Sequence, residues 1–190
     1  MQVADKKALR KHFKEIRGNM DLAERTNADN NIAQLFLQTQ EYIDCRDILV
    51  YVSSEIEVST RKIMETAFLE KNVYCPRCVS GTNIMNFYRV SDFSQLEKGS
   101  FGILEPDKDC ELRSSFDKRA VCVVPALSFD KNGYRLGFGK GFYDRYLADF
   151  SGIKIGLCYE NCLSGILPSD SFDIVVNKVV TEKSIYFLKG

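Results

Sequence analysis

Residues 120–129 read Ala-Val-Cys-Val-Val-Pro-Ala-Leu-Ser-Phe, with a serine as the only polar side chain. A strand with water on one side alternates apolar and polar residues, whereas an unalternating apolar run has to be covered on both faces. The run therefore belongs at the centre of a sheet with helices packed above and below it. The flanking segments agree. Strands are predicted at 47–53, 72–79, 83–90, 153–159, 173–181 and 184–188, with helices at 59–70 and 141–150. Strands alternating with helices give an α/β fold, a mixed and mostly parallel sheet with helices on both faces.

Ahead of this body stand two predicted helices. In the first, Leu9, Phe13, Ile16 and Met20 recur at helical spacing, with Asp5 as a candidate N-cap. The second spans 22–38 and carries Ala33, Leu35, Phe36 and Leu37. No repeat or Pro/Gly-rich linker interrupts the 190 residues, a length suited to one domain. The expectation is a single domain over 1–190, with the helical part at 1–40 packed on the α/β body.

Charge excludes some partners. The 26 basic and 26 acidic side chains cancel, so no overall field favours nucleic acid or an anionic membrane. No apolar run approaches the roughly 20 residues needed to span a bilayer. Residues 1–15 are too polar for a secretory signal, and the cytoplasm is the expected compartment. Their basic amphipathic character leaves an organellar transit segment open. The seven cysteines are an odd count without a secretory signal, which reads as reduced thiols. Cys75-Pro-Arg-Cys78 lacks a second pair at zinc-finger spacing. With His12 as the only histidine, a His-based nucleophilic triad is hard to build.

The segment after the central strand carries the chemistry. A turn at Asp130-Lys-Asn-Gly133 leads into Arg135-Leu-Gly137-Phe-Gly139-Lys140-Gly141, and a helix is predicted next. Glycines let a ligand approach the backbone closely. N–H groups at a helix start can face an anion, and Arg135 and Lys140 add charge beside them. These are the parts of a phosphate-binding turn, placed where α/β folds hold ligands. The spacing GxGxG matches neither the P-loop nor the dinucleotide pattern, and a glycine-rich hairpin with incidental charges has the same composition.

The string RLGFGKGFYD, preceded by VPALSFDKNG, resembles the signature of the 5-formyltetrahydrofolate cyclo-ligase family. Weaker similarity runs in family order from Lys6 to about Glu182. The resemblance implies that Arg135, Leu136, Gly137, Phe138, Gly139, Lys140, Gly141, Phe142 and Tyr143 line the ATP site. Phe138, Gly139, Lys140, Gly141 and Phe142 would also border the folate, and Asp144 would be a magnesium ligand.

Other positions follow from the same resemblance. At 100° per residue, Lys6 projects roughly 50° and Arg10 roughly 90° from the centre of the apolar stripe, while Lys7, Lys11 and Lys14 point further out. Periodicity alone reads these as a solvated basic face. The resemblance assigns Lys6 and Arg10 to ATP phosphates. Glu55-Ile56-Glu57 is similar to a Glu-x-acid-Thr segment whose first Glu contacts folate, which implies Glu55, with Val52 bordering the pocket. On that alignment the preceding loop is about two residues short, and Val58-Ser59-Thr60 stands where a single Thr is usual. Pro76-Arg77 and residues 102–106 are similar to segments bordering the substrate cavity. Leu167-Pro168 and Asp173 are similar to a stretch in which an Asp assists the metal; the family's next acid is Asn177 here.

The implied reaction is ATP- and Mg2+-dependent cyclisation of 5-formyltetrahydrofolate to 5,10-methenyltetrahydrofolate, with release of ADP and phosphate. Lys140, Arg135 and Arg10 are the implied catalytic cations. A monomer without nucleic-acid or membrane partners is expected. A small-molecule kinase on the same scaffold, or an ATP- or folate-binding module without turnover, are the alternatives.

Overall fold

The computed structural model describes residues 5–99 and 102–187. Helix α1 (Lys6–Gly18) starts where Asp5 accepts a hydrogen bond from the Lys7 N–H, as expected of that N-cap. Asp21 caps α2 (Leu22–Leu37) in the same way, through the N–H groups of Ala23 and Glu24. A short α3 (Gln40–Asp44), capped by Thr39, leads into the sheet.

The body runs β1 (Asp47–Leu49), α4 (Arg61–Glu70), β2 (Asn72–Cys78), β3 (Met85–Val90), β4 (Leu96–Lys98), β5 (Leu104–Pro106), β6 (Leu112–Arg113) and β7 (Val121–Val124). It continues with β8 (Ser128–Phe129), β9 (Arg135–Leu136), α5 (Phe142–Ala148), β10 (Ile153–Leu157), β11 (Lys178–Val180) and β12 (Ile185–Phe187). Among the described residues the main sheet has eight strands in the order β12-β11-β10-β7-β1-β2-β3-β6. Its five middle strands, β11 to β2, are parallel, and β12, β3 and β6 join antiparallel. The α/β fold expected from the sequence is present.

Connectivity explains how both faces are covered. From β1 the chain steps through α4 to β2 on one side; from β7 it steps through α5 to β10 on the other. Parallel crossovers are right-handed, so steps in opposite directions place α4 and α5 on opposite faces. On the α5 face a chain of rings (Tyr74, Phe116, Phe150, Tyr146, Phe87) runs with successive centroids 4.6–6.3 Å apart. The loops after β1 and β7 diverge between them, leaving a crevice at their C-terminal ends. Ligands of open α/β sheets sit at this kind of switch point.

Several boundaries differ from the expectation. The apolar run 120–129 is two strands: β7 stops at Val124, since Pro125 offers no N–H to a ladder, and β8 pairs with β9 in a separate hairpin. The strands expected at 47–53 and 173–181 shrink to β1 and β11. Leu188, at the end of the last expected strand, lies outside the described residues. No helix among the described residues is long and apolar enough to cross a membrane.

Candidate functional site

The crevice opens into a cavity of about 540 Å³. Its polar end takes Lys6 and Arg10 from α1, the whole segment from Arg135 to Asp144, and Asp170 and Asp173 from the stretch before β11. Its apolar end takes Val52, Pro76, Met85, Ile103 and Leu104. One cavity thus offers cations suited to phosphates and an apolar slot suited to a flat heterocycle.

The glycine loop is built by the hairpin before it. Asp130, buried, accepts hydrogen bonds from the N–H groups of Asn132, Tyr134 and Leu167, and Gly133 turns the chain at φ 88°. Gly139 (φ 101°) and Gly141 (φ 69°) lie in the left-handed region, where a side chain is strained. A Cβ on Gly139 would stand 3.3 Å from Cζ of Arg10, whose Nε donates to the Gly137 carbonyl at 2.9 Å. Gly141 caps α5 without a side-chain hydrogen bond. With seven residues, α5 has a small dipole, so side-chain cations carry most of the positive charge here.

Those cations are already partnered. Lys6 Nζ donates to Asp170 at 2.6 Å and Asp173 at 2.9 Å. Burial alone would lower the Lys6 pKa, but the hydrogen bonds and charges of the two aspartates outweigh it and raise it. The Arg135 side chain, 4% exposed, donates to the Ile174 carbonyl and to Asp144 Oδ1. Burial lowers its pKa, opposed by Asp144 and Asp173. Tyr143 hides a hydroxyl that finds no partner among the described residues, and burial holds its pKa well above the phenolic range.

The donor set admits magnesium. Arg135 bonds Oδ1 of Asp144, and Lys6 and the Asp170 N–H bond Oδ2 of Asp173, so the two carboxylates sit in one cavity as hard oxygen donors. Mg2+ takes one or two carboxylates and completes its shell with phosphate oxygens and water. Asn177 is placed elsewhere: its side chain accepts from the Lys154 N–H, edging β10.

Sequence reasoning and structure part company at the acidic loop. Glu55 is exposed and stands outside the cavity lining, while Glu57 is buried and lines it. Glu57 accepts from both the N–H (2.8 Å) and the hydroxyl (2.7 Å) of Ser54, which turns the loop so that Glu55 faces solvent. Thr60 closes the loop by donating to the Tyr51 carbonyl at 2.6 Å. Reading the Glu-x-acid-Thr segment from Glu57 to Thr60 needs neither a shortened loop nor an inserted residue, and puts Ser59 at the acid's place. That spacing was the available signal. Val52 lines the cavity.

Arg17 is the functional candidate that sequence reasoning missed. It is 1% exposed and donates to the carbonyls of Ile56 (3.0 Å), Ala126 (2.6 Å) and Leu127 (2.9 Å). At 100° per residue it projects about 70° from the apolar stripe, between Lys6 and Arg10 on one flank of α1. That alignment was legible; its burial was not.

Of the two CxxC cysteines, Cys75 is buried and Cys78 lines the cavity. Three residues apart on one strand, they point to opposite faces and cannot grip one ion together. Burial pushes the Cys78 thiol up to about 11, with help from Glu105.

Three comparisons with known proteins bear on the chain as a whole. The model of the 5-formyltetrahydrofolate cyclo-ligase family matches residues 2–182. A 5-formyltetrahydrofolate cyclo-ligase from Haemophilus influenzae is 28% identical over 179 residues, covering 92% of this chain and 96% of the relative. One from Mycoplasma pneumoniae is 30% identical over 187 residues, covering 94% and 99%. The solved structure of Aquifex aeolicus 5,10-methenyltetrahydrofolate synthetase superposes with a TM-score of 0.84 at 32% identity, covering 97% of this chain and 93% of that one.

Proposed function

The chain belongs to the 5-formyltetrahydrofolate cyclo-ligase family, and from that premise we propose that its cavity couples ATP cleavage to closure of a folate ring. The substrate is 5-formyltetrahydrofolate; the products are 5,10-methenyltetrahydrofolate, ADP and phosphate. One observation carries the assignment of parts: Lys6, Arg10, Arg135 and Lys140 share a cavity with Asp144, Asp173 and Glu57.

The chemistry explains each part. An N-formyl group is an amide whose oxygen is a poor leaving group. Transfer of the γ-phosphoryl group to that oxygen breaks the bond to ADP and makes the oxygen part of a phosphate ester. The N10 amine then attacks the activated carbon, its proton is lost, and phosphate departs with the former formyl oxygen. Such transfer needs in-line positioning and charge neutralisation more than a protein nucleophile.

Lys6 and Arg10 bind triphosphate oxygens from the α1 side, and Lys140 does so from the glycine loop. Arg135 holds Asp144 in place and adds its charge to the same end of the cavity. Preorganised charges of this kind stabilise the transition state because they need not reorient. Magnesium, held by Asp144 and Asp173, supplies further neutralisation of the phosphates when bound. Glu57, rather than Glu55, accepts the N–H groups of the pterin. Tyr143 offers its unspent hydroxyl to a ligand in the same cavity.

The test is a near-ultraviolet absorbance assay with purified protein, 5-formyltetrahydrofolate, ATP and Mg2+. A methenyl band that depends on ATP and vanishes in folded Lys140→Ala protein supports the reading. Release of ADP without the band would replace it with a kinase, and ATP binding without either signal would replace it with a binding module.

A further inference from the structure

Beneath the Glu57 loop lies a network of buried and half-buried polar side chains that the chemistry above leaves unused. The Ile56 carbonyl accepts from Arg17. The Glu57 carbonyl accepts from Arg25 at 3.1 Å and lies 3.4 Å from the Tyr159 hydroxyl. The Ser59 N–H donates to Asp29 at 3.0 Å, and Asp29 also accepts from Tyr159 at 2.8 Å. Arg25 Nε donates to the same hydroxyl, and the Arg17 guanidinium lies 5.4 Å from the centre of the Tyr159 ring. Main-chain groups of three of the four residues from Ile56 to Ser59 are therefore held by side chains of α1, α2 and Tyr159.

Arg17 reaches further than the others. Its second terminal nitrogen holds the Ala126 and Leu127 carbonyls, in the connection that leads from β7 to the glycine loop. It also belongs to α1, the helix that carries Lys6 and Arg10. A guanidinium is a planar fork whose donors have fixed directions, so three carbonyls bound to it are fixed relative to one another. A buried arginine is costly, and this one spends its terminal donors on three carbonyls from two separate loops. The arrangement makes sense as a template for geometry.

We propose that Arg17 is a positioning residue: it fixes the Glu57 loop, the approach to the glycine loop and the cation-bearing helix α1 in one register, with Arg25 and Tyr159 bracing Glu57 from behind. The ligand side of this inference rests on the folate reading of Glu57.

The test is a double-mutant cycle on binding of 5-formyltetrahydrofolate, read by calorimetry. Arg17→Lys keeps the charge and loses the fork. It should weaken binding about tenfold, the scale of one charged hydrogen bond. In a Glu57→Gln background the same change should cost less than about twofold, because the group being positioned is gone. An equal cost in both backgrounds, or no cost in either, overturns the proposal. If Arg17→Lys does not fold, Arg25→Met enters the cycle, with the same coupling expected and its absence equally fatal. If the wild-type protein binds ATP but no folate, the functional reading fails, and hydrogen exchange judges the positioning role instead. Arg17→Lys should then speed exchange at the Glu57 and Leu127 amides while leaving the Val50 amide in the sheet unchanged. Uniform acceleration would mean a merely structural arginine.

Discussion

Arg135 and Asp144 meet at 2.5 Å where the glycine loop gives way to α5, the arginine almost wholly enclosed and the aspartate 26% exposed. The carboxylate therefore serves two masters, a buried cation and the proposed metal. The two duties separate by substitution. Asp144→Asn keeps an acceptor oxygen for Arg135 and should cost about 1–2 kcal/mol of stability while abolishing ring closure. Asp144→Ala strands the guanidinium and should cost about 3 kcal/mol, the lower end for a broken buried pair because Asp144 is partly wet. Thermal unfolding alongside the absorbance assay checks both.

Lys6 occupies an oxygen of Asp173 that a metal would also seek. Replacing it with an apolar isostere should move two affinities in opposite directions. Lys6→Met should bind ATP more weakly, and should bind Mn2+ without nucleotide more tightly than the wild type. Titration of free Mn2+ by electron paramagnetic resonance reads the second effect. Weakened Mn2+ binding would sink the idea that the two cations compete.

The three loop glycines should not be equivalent. A Cβ on Gly137 meets nothing within 4 Å, whereas Gly139 combines φ 101° with the approach to Arg10. Gly137→Ala should leave thermal stability unchanged. Gly139→Ala should cost about 1–2 kcal/mol in backbone strain and raise the KM for ATP by displacing Arg10.

Asp29 gives a pH signature. Burial raises its pKa despite the Ser59 N–H, the Tyr159 hydroxyl and the nearby arginines. An acid whose folded pKa exceeds its unfolded one favours the native state while protonated. That contribution is present below the unfolded pKa and is lost as pH rises through the folded pKa. Both hydrogen bonds fall on one oxygen, Oδ1, which asparagine can reproduce. The stability of Asp29→Asn relative to wild type should therefore increase from pH 4 to pH 7, as read by urea unfolding.

Cys78 reports on occupancy of the apolar end. Burial and Glu105 push its thiol up to about 11, so the reactive thiolate is scarce at pH 8. Alkylation of the native protein should be slow, start at Cys78, and slow further when 5-formyltetrahydrofolate is bound. Mass spectrometry locates the modified residue. First reaction at buried Cys75 would contradict the packing.

Much of this was legible in the chain. Asp5 and the Leu9/Phe13/Ile16/Met20 stripe announce α1, because capping and 3.6-residue periodicity are local properties. The glycine string and its neighbouring cations announce the polar end of the cavity. What could not be read depended on contacts between distant segments. Pro125 splits an apolar run that hydropathy alone leaves whole. Glu57 is separated from Glu55 by a turn that its own hydrogen bonds with Ser54 create. Arg17 scores as surface by charge, and only backbone carbonyls from two remote loops make its burial tolerable. The strands β4, β5, β6, β8 and β9 are too short for period two to show.

The ion pair joining Lys6 to Asp173 spans 167 positions of sequence. Lys6 and the carboxylate proposed for the metal therefore meet only once α1 and the segment before β11 have docked on the same side of the sheet. A fragment that lacks either segment lacks one partner of that pair. ATP, by binding across that seam, would act as a clasp between α1 and the segment before β11.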